Sequence, residues 1–235
     1  MIDYRAAIEQ APPGWRRFRV ADVRRLPPEQ LEDVPAEDLE AAAAGDEAAG
    51  ERVRRALFWP LVYELAPELW DRLAVAEPIH PGVLAALRVD RRRVVEIGAG
   101  SGRLTVHLAE RAAELVCIEP SAGLRFLLRR RFPDVSVLAG YARQIPLPDG
   151  WAEVALACAS IGPDPRAVAE MERVTAPEGT LGLISPAEPA WFSDRGWSRI
   201  SFDPNEVEVP EHDAELEEIF GPLDPPHELV WRLRG

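Results

Sequence analysis

Val94-Val95-Glu96-Ile97-Gly98-Ala99-Gly100-Ser101-Gly102 is the stretch that decides the fold. Four mostly apolar residues lead into three glycines at alternate positions, and an amphipathic segment follows. The reading is a strand, a tight loop and a helix start. Glycines let such a loop turn sharply and let a ligand lie against bare backbone. The free N–H groups at the start of a helix add a field that favours a carboxylate or phosphate.

Outward from this stretch, short apolar runs alternate with helical periodicity. Strands are expected at Arg93–Ile97, Leu115–Glu119, Val135–Ala139, Val154–Ala159 and Thr180–Ser185. Helices are expected at Gly102–Ala113, Ala122–Arg131 and Asp164–Val174. That alternation predicts an α/β fold, a Rossmann-like, mostly parallel sheet of six to seven strands covered on both faces. In such a sheet ligands bind beyond the carboxyl ends of the strands, where the glycine loop lies. The tail offers Trp197–Phe202 and His227–Leu233 as candidate strands and Asp213–Phe220 as a helix, without a firm seventh strand. Residues 1–85 read as a helical extension and 86–235 as the sheet domain. Within the extension, short helices are expected at 28–33 and 36–56, with Gly45 and Gly50 as weak points. Leu57, Phe58, Leu61, Val62, Leu65, Leu69, Trp70 and Leu73 then recur at helical spacing, in a run divided by Pro60 and Pro67.

Composition narrows the function. The chain has 235 residues, 47% hydrophobic and 29% charged, with a formal net charge of −13. That charge disfavours nucleic acid and anionic membrane as partners. No run approaches the length of a membrane span and the first residues lack a signal-peptide layout, so a cytoplasmic location is the expectation. Every basic side chain apart from histidine is arginine, so lysine-based chemistry is not available. All-arginine usage with abundant Ala and Pro looks like the coding bias of a high-GC bacterial genome. Cys117 and Cys158 sit in apolar runs with no Cys/His cluster, which argues for buried thiols and against a metal site.

The loop details separate two ligand classes. A dinucleotide fingerprint is G-x-G-x-x-G. Here the third glycine comes one residue earlier, and Glu96 sits two places before the first. A carboxylate there repels a pyrophosphate and attracts an α-ammonium group, which points to an amino-acid-bearing nucleoside. Glu119 ends the second strand, where a carboxylate can accept from both ribose hydroxyls. The bland alternative for Glu119 is a charge at the N-terminus of the next helix.

With these residues in place, the sequence resembles the class I S-adenosylmethionine (SAM)-dependent methyltransferases, and most of all their small-molecule, ubiquinone/menaquinone-biosynthesis-like branch. Glu96-Ile97-Gly98-Ala99-Gly100-Ser101-Gly102 resembles the family's D/E-x-G-x-G-x-G, and Ile118-Glu119-Pro120-Ser121 its acidic second motif. Gly140-Tyr141-Ala142 with Ile145-Pro146-Leu147-Pro148-Asp149-Gly150 resembles G-D-A followed by L-P-F-P-D-G. Glu172-Arg173-Val174 with Pro177-Glu178-Gly179 resembles R-V-L-x-P-G-G. The similarity covers roughly residues 68–186. Tyr141 stands where the family has Asp, Ala152-Glu153 where it has F-D, and Glu178 replaces the middle residue of P-G-G. The tail reads as short of the family's last strand pair.

The resemblance implies SAM as cofactor and S-adenosylhomocysteine as product. It assigns cofactor binding to Glu96, Gly98, Ala99, Gly100, Gly102, Glu119, Pro120, Tyr141, Ala142 and Cys158. His80 and Glu77, flanking a proline-bounded connector, are the candidate bases, each with a purely structural alternative. Ser160 at the end of the fourth strand, Tyr63 and Asp71 are candidate substrate contacts. No metal is expected. The expected partner is a small-molecule methyl acceptor, with no nucleic acid and no membrane; a homodimer stays open. The fourth strand ends Cys158-Ala159-Ser160-Ile161 and lacks the N/D-P-P-Y/F that grips a flipped base. Two other functions remain in play: a SAM-binding regulator, non-catalytic or directed at a protein, and an NAD-type oxidoreductase.

Overall fold

Arg93–Ile97 (β1) lies inside a sheet, flanked by parallel strands on both sides, because four of its five residues are buried. A strand buried on both faces reads as a continuous apolar run, which Val94-Val95-Glu96-Ile97 is but for its glutamate. The computed structural model describes residues 4–235 and divides them into two units. One consists of residues 4–73 with Glu211–Leu223, the other of Ala74–Pro210 with Asp224–Gly235.

The first unit is helical. It holds α1 (Tyr4–Glu9), α2 (Val20–Val23), α3 (Ala36–Ala43), α4 (Glu47–Ala56), α5 (Phe58–Leu65) and the greater part of α6 (Pro67–Ala76). The expected helix over 36–56 breaks at Gly45, whose φ of +96° is closed to ordinary residues, and restarts where Asp46 accepts from Ala49 N–H at 2.8 Å. The expected helix over 28–33 is a single 3-10 turn, Pro28–Gln30. Pro60 does not divide the next run. It sits in the first turn of α5, where a missing N–H leaves no helical bond unmade.

The second unit is a seven-stranded sheet in the order β3-β2-β1-β4-β5-β7-β6. Its strands are β1, β2 (Glu114–Ile118), β3 (Ser136–Leu138), β4 (Ala152–Cys158), β5 (Thr175–Ile184), β6 (Ser198–Ser201) and β7 (Glu228–Leu233). The first five are parallel; β7 is antiparallel to β5 and to β6. The tail therefore does supply a last strand pair. Leu229 and Val230 are buried and complete the cores on the two faces, while β6 is exposed along its length.

Side-chain alternation sets the layers. Val95, Ile97, Val116, Ile118, Ala155 and Ala157 pack on one side with Met171 of α10 (Pro165–Val174) and Phe192 of α11 (Pro189–Ser193). Val94, Leu115, Cys117, Val154 and Leu156 pack on the other. That side is covered by Val83 of α7 (Pro81–Ala86), Leu108 of α8 (Thr105–Leu108) and Leu128 of α9 (Ala122–Arg131).

Two boundaries differ from expectation. The helix expected over Gly102–Ala113 is regular only over Thr105–Leu108, because Gly102 has φ +108° and the chain turns until Leu104. The division between the units falls at 73/74 rather than 85/86. Ile79, Val83 and Leu87 pack into the sheet's core, which carries the connector and α7 with the sheet. Conversely α12 (Ala214–Phe220) belongs to the helical unit, where Phe220 stacks on Trp59 with ring centroids 5.5 Å apart.

Candidate active site

The strand order reverses between β1 and β4, so the loop after β1 opens into the crevice at the carboxyl edge of the sheet. Gly98 and Ala99 both donate to Ile118 O, at 2.8 and 3.1 Å, pinning the loop's first turn to the end of β2. Gly98, Gly100 and Gly102 all have positive φ. At Gly98 the restriction is double: φ is +68° and a Cβ would lie 2.5 Å from Ser160 Cβ.

Glu119 joins this loop to the next. Its Oε2 accepts from Gly100 N–H and its Oε1 from Ser121 N–H, both at 2.8 Å. The carboxylate is 4% exposed. Each oxygen accepts one of these backbone N–H groups. Ser121 then caps α9 by accepting from Leu124 N–H. Glu119 thus stands at the end of β2 and two residues before the cap of α9.

Glu96 is placed differently from Glu119. It points to the α8 side, where Oε2 accepts from Thr105 Oγ1 at 2.7 Å and lies 3.5 Å from Cys117 Sγ. Burial pushes its carboxyl up to about 7 against the Thr105 and Cys117 hydrogen bonds, with Glu119 adding repulsion. Burial likewise pushes the Cys158 thiol up to about 11, Arg103 opposing and the nearby Glu96 and Glu77 reinforcing. Cys158 is therefore a thiol at neutral pH.

Glu77 is paired. Its Oε2 lies 3.1 Å from Arg103 of the glycine loop, and its Oε1 accepts from Asp224 N–H at 3.0 Å. Both ion-pair side chains are largely buried, at 13% and 8% exposed. Burial raises the Glu77 carboxyl above its ordinary value, against the pull of the Asp224 N–H and of Arg103. His80 caps α7: its Nδ1 accepts from Gly82 N–H at 2.9 Å, and its ring stacks on Phe202 at 4.9 Å. Ser160 donates to Ile97 O at 2.8 Å and seats itself on Gly98.

Tyr141 and Ala142 occupy a bend closed by the Tyr141–Gln144 bridge. The bend is held from α10. Glu170 accepts from Ile145 N–H, while Arg173 donates to Ile145 O and Leu147 O, each near 2.8 Å. This gives a physical reason for the spacing between the I-P-L-P-D-G segment and Glu172-Arg173-Val174. Pro120 is half-buried after Glu119. Tyr63 and Asp71 belong to the helical unit, where Tyr63 packs edge-on against Trp70 at 5.0 Å.

Three site residues escaped the sequence reading. Thr105 binds Glu96, Arg125 donates to Glu119 O at 2.7 Å, and Arg131 donates to Ser101 O at 3.0 Å. Only Thr105 carried a signal, as a hydroxyl nine residues beyond a buried carboxylate and at the head of a helix. Arg131 is the last residue of α9; it is exposed, yet it reaches the glycine loop. Among the described residues no group of three His, Cys, Asp or Glu side chains is placed to hold a metal ion, and no helix is long and apolar enough to cross a membrane.

Over part of its length the chain is similar to known methyltransferases. Residues 94–179 match the model of a methyltransferase domain. An uncharacterized methyltransferase of Mycobacterium tuberculosis is 41% identical over 95 residues, covering 40% of this chain and 39% of that protein. A demethylmenaquinone methyltransferase of Beutenbergia cavernae is 30% identical over 102 residues, 42% of each chain. The chain thus matches about two fifths of the length of these curated relatives. A SAM-dependent methyltransferase from Aquifex aeolicus superposes with TM-score 0.51 at 17% identity, over 73% of this chain and 100% of that one. A chain from the complex of the Haloferax volcanii Trm112 methyltransferase activator with its putative methyltransferase also gives 0.51 at 17% identity, over 70% and 90%. Residues 94–179 are thus similar to a methyltransferase domain, and the sheet that carries them has the fold of these solved structures.

Proposed function

We propose that this chain transfers a methyl group from SAM to a small-molecule acceptor by direct in-line displacement. The observation that carries the reading is Glu119, a buried carboxylate held by two backbone N–H groups between two loops at the switch point of the sheet. A carboxylate at the end of that strand suits a ribose diol. The positive-φ glycines bring bare backbone alongside, and Glu96, when ionised, adds a negative charge that favours a ligand carrying an ammonium group. These features fit an amino-acid-bearing nucleoside.

When bound, SAM supplies a methyl group already activated by its sulfonium. The chain's contribution is then to hold both reactants in near-attack geometry. The glycine loop and Glu119 bind, with Tyr141, Ala142 and Pro120 beside them. Ser160 and Cys158 line the end of β4, Cys158 as a neutral thiol. Glu77 is committed to Arg103 and His80 to its helix cap, so we assign both to positioning the connector rather than to proton transfer.

A small acceptor is supported by the net charge of −13 and by a β4 end without a base-gripping motif. The test is incubation with methyl-labelled SAM against fractionated small-molecule extract and against protein. Label moving into a low-mass product is the expected result. Label appearing only in protein contradicts the acceptor class, and no transfer to anything contradicts the activity.

A further inference from the structure

Ile200 of β6 and Leu233 of β7, 40% and 57% exposed, border a surface cavity of about 330 Å3 on the face of the sheet that carries α7. The floor of the cavity is closed. Leu156 and Leu229 are buried and both reach over Gly182, where a Cβ would lie 2.8 and 3.7 Å from them. The open walls are the end of α7 on one side and β6 and β7 on the other. Leu229, Trp231 and Leu233 share this face by strand alternation, and Ile200 pairs across from Leu229. None of the residues assigned to the cofactor takes part.

Arg88, two residues past the end of α7, is the one charged side chain among the described lining residues. It is exposed, and its guanidinium lies 5.9 Å from the centroid of the half-buried Trp231 ring. Among the described residues it makes no hydrogen bond or ion pair. The carboxylates near it in the chain and across the sheet are spent elsewhere. Asp90 accepts from Arg111 through both oxygens, at 2.9 and 3.1 Å, and Glu153 accepts from Arg93 N–H at 3.0 Å. Apolar side chains exposed one at a time are ordinary, but several around one cavity mark an interaction site. Here they stand beside a cation that solvent reaches and no carboxylate compensates.

The shape of the walls narrows the ligand. Apart from one indole they are aliphatic, and they follow β7, where Leu229 to Leu233 spans about 13 Å at roughly 3.3 Å per residue. An extended acyl chain lies along such a row. The guanidinium fork matches a carboxylate. The volume lies at the bottom of the usual range for ligand pockets, roughly 300–1,000 Å3, which suits a chain of medium length. We propose that this cavity binds a free medium-chain aliphatic carboxylate, its chain along Ile200, Trp231 and Leu233 and its carboxylate on Arg88. The site is separate from the glycine loop and does not depend on the methyl-transfer reading.

The test is calorimetric titration of the full chain with octanoate, 1-octanol, octylammonium and acetate. Saturable binding of octanoate is expected, at least fivefold weaker for the alcohol and absent for octylammonium and for acetate. Arg88→Gln is expected to make acid and alcohol bind alike, and Leu233→Ser to weaken octanoate about fivefold. Both positions are exposed, so the thermal midpoint stays in place for each variant. Excess SAM leaves the octanoate isotherm unchanged. The proposal is overturned by a folded protein that does not bind octanoate, by equal binding of acid and alcohol to the wild type, by binding of acetate as tightly as octanoate, by indifference to both variants, or by displacement with SAM.

Discussion

Glu119 Oε2 accepts the backbone N–H of Gly100 at 2.8 Å, so a carboxylate at the end of β2 fixes the middle of the loop that leaves β1. Nineteen residues separate the two, and the bond is buried. Charge-assisted bonds of this kind contribute roughly 1.5–3 kcal/mol. Glu119→Gln puts an amide NH2 opposite one of the two N–H donors. It is expected to lower stability by about 2 kcal/mol in urea unfolding; an unchanged midpoint would show that the two loops are held by something else.

Gly98 and Ser160 form a second close pair. Gly98→Ala must adopt φ +68° and place its Cβ against Ser160. The left-handed backbone costs about 1–2 kcal/mol and overpacking about 1–3 kcal/mol. The double variant with Ser160→Gly relieves the overlap but not the backbone strain. Urea unfolding of all four proteins should therefore show a double variant more stable than the sum of the single losses, by about 1 kcal/mol or more. Simple additivity would mean that Ser160 moves aside freely.

Glu96 gives the chain a pH dependence with a definite sign. Its carboxyl, ordinarily near 4.5, is held at about 7 by burial, so the folded state keeps a proton that the unfolded state loses. Stability falls as pH rises from about 4.5 to about 7, by up to roughly 3 kcal/mol, and levels above that. Glu77 acts in the same direction. The His107 imidazole, held below its ordinary value by burial and by Arg111, acts in the opposite one. The difference between wild type and Glu96→Gln isolates the Glu96 contribution. It should be largest at pH 7 and vanish near pH 4.5 in thermal unfolding; a difference independent of pH would contradict the assignment.

The central strands were legible because each is a short apolar run bounded by turn residues, and the glycine loop declared its own position. The tail was less so. β6 is an exposed edge strand with no alternation to read, and β7 is recognised by the register that Leu229 and Val230 make with β5. The helix after the loop was overextended because the apolar periodicity of Leu104 and Leu108 continues through a turn that Gly102 keeps out of helical geometry. Glu96 finds its partners in Thr105 of α8 and Cys117 of β2, and Glu119 finds one in Gly100, nineteen residues back, contacts that strand and helix periodicity do not report.

Glu77 and Arg103 distinguish a structural role from a chemical one. Glu77→Ala leaves a buried guanidinium without this partner and is expected to cost about 3 kcal/mol. Glu77→Gln keeps an oxygen for Asp224 N–H and should cost less. If Glu77 only positions the connector, Glu77→Gln leaves the pH profile of kcat unchanged. A profile that loses its acidic limb, where a carboxylate base becomes protonated, would make Glu77 a proton acceptor.

Glu178 stands at φ +62°, where the motif it resembles has glycine. The exposed side chain makes left-handed backbone costly with no contact in return. Glu178→Gly is expected to stabilise the protein by about 0.5–1 kcal/mol, the strain relief exceeding the added chain entropy of glycine. A loss of stability in chemical denaturation would show that the side chain has a role the backbone geometry does not reveal.

The most direct test of the central claim is calorimetric titration with SAM, S-adenosylhomocysteine and NAD, on the wild-type chain and on Glu119→Ala. Saturable binding of both SAM species, none of NAD, and at least tenfold weaker SAM binding by the variant is the predicted result. A well-folded wild-type protein that binds neither SAM species, or that binds NAD in their place, would contradict it.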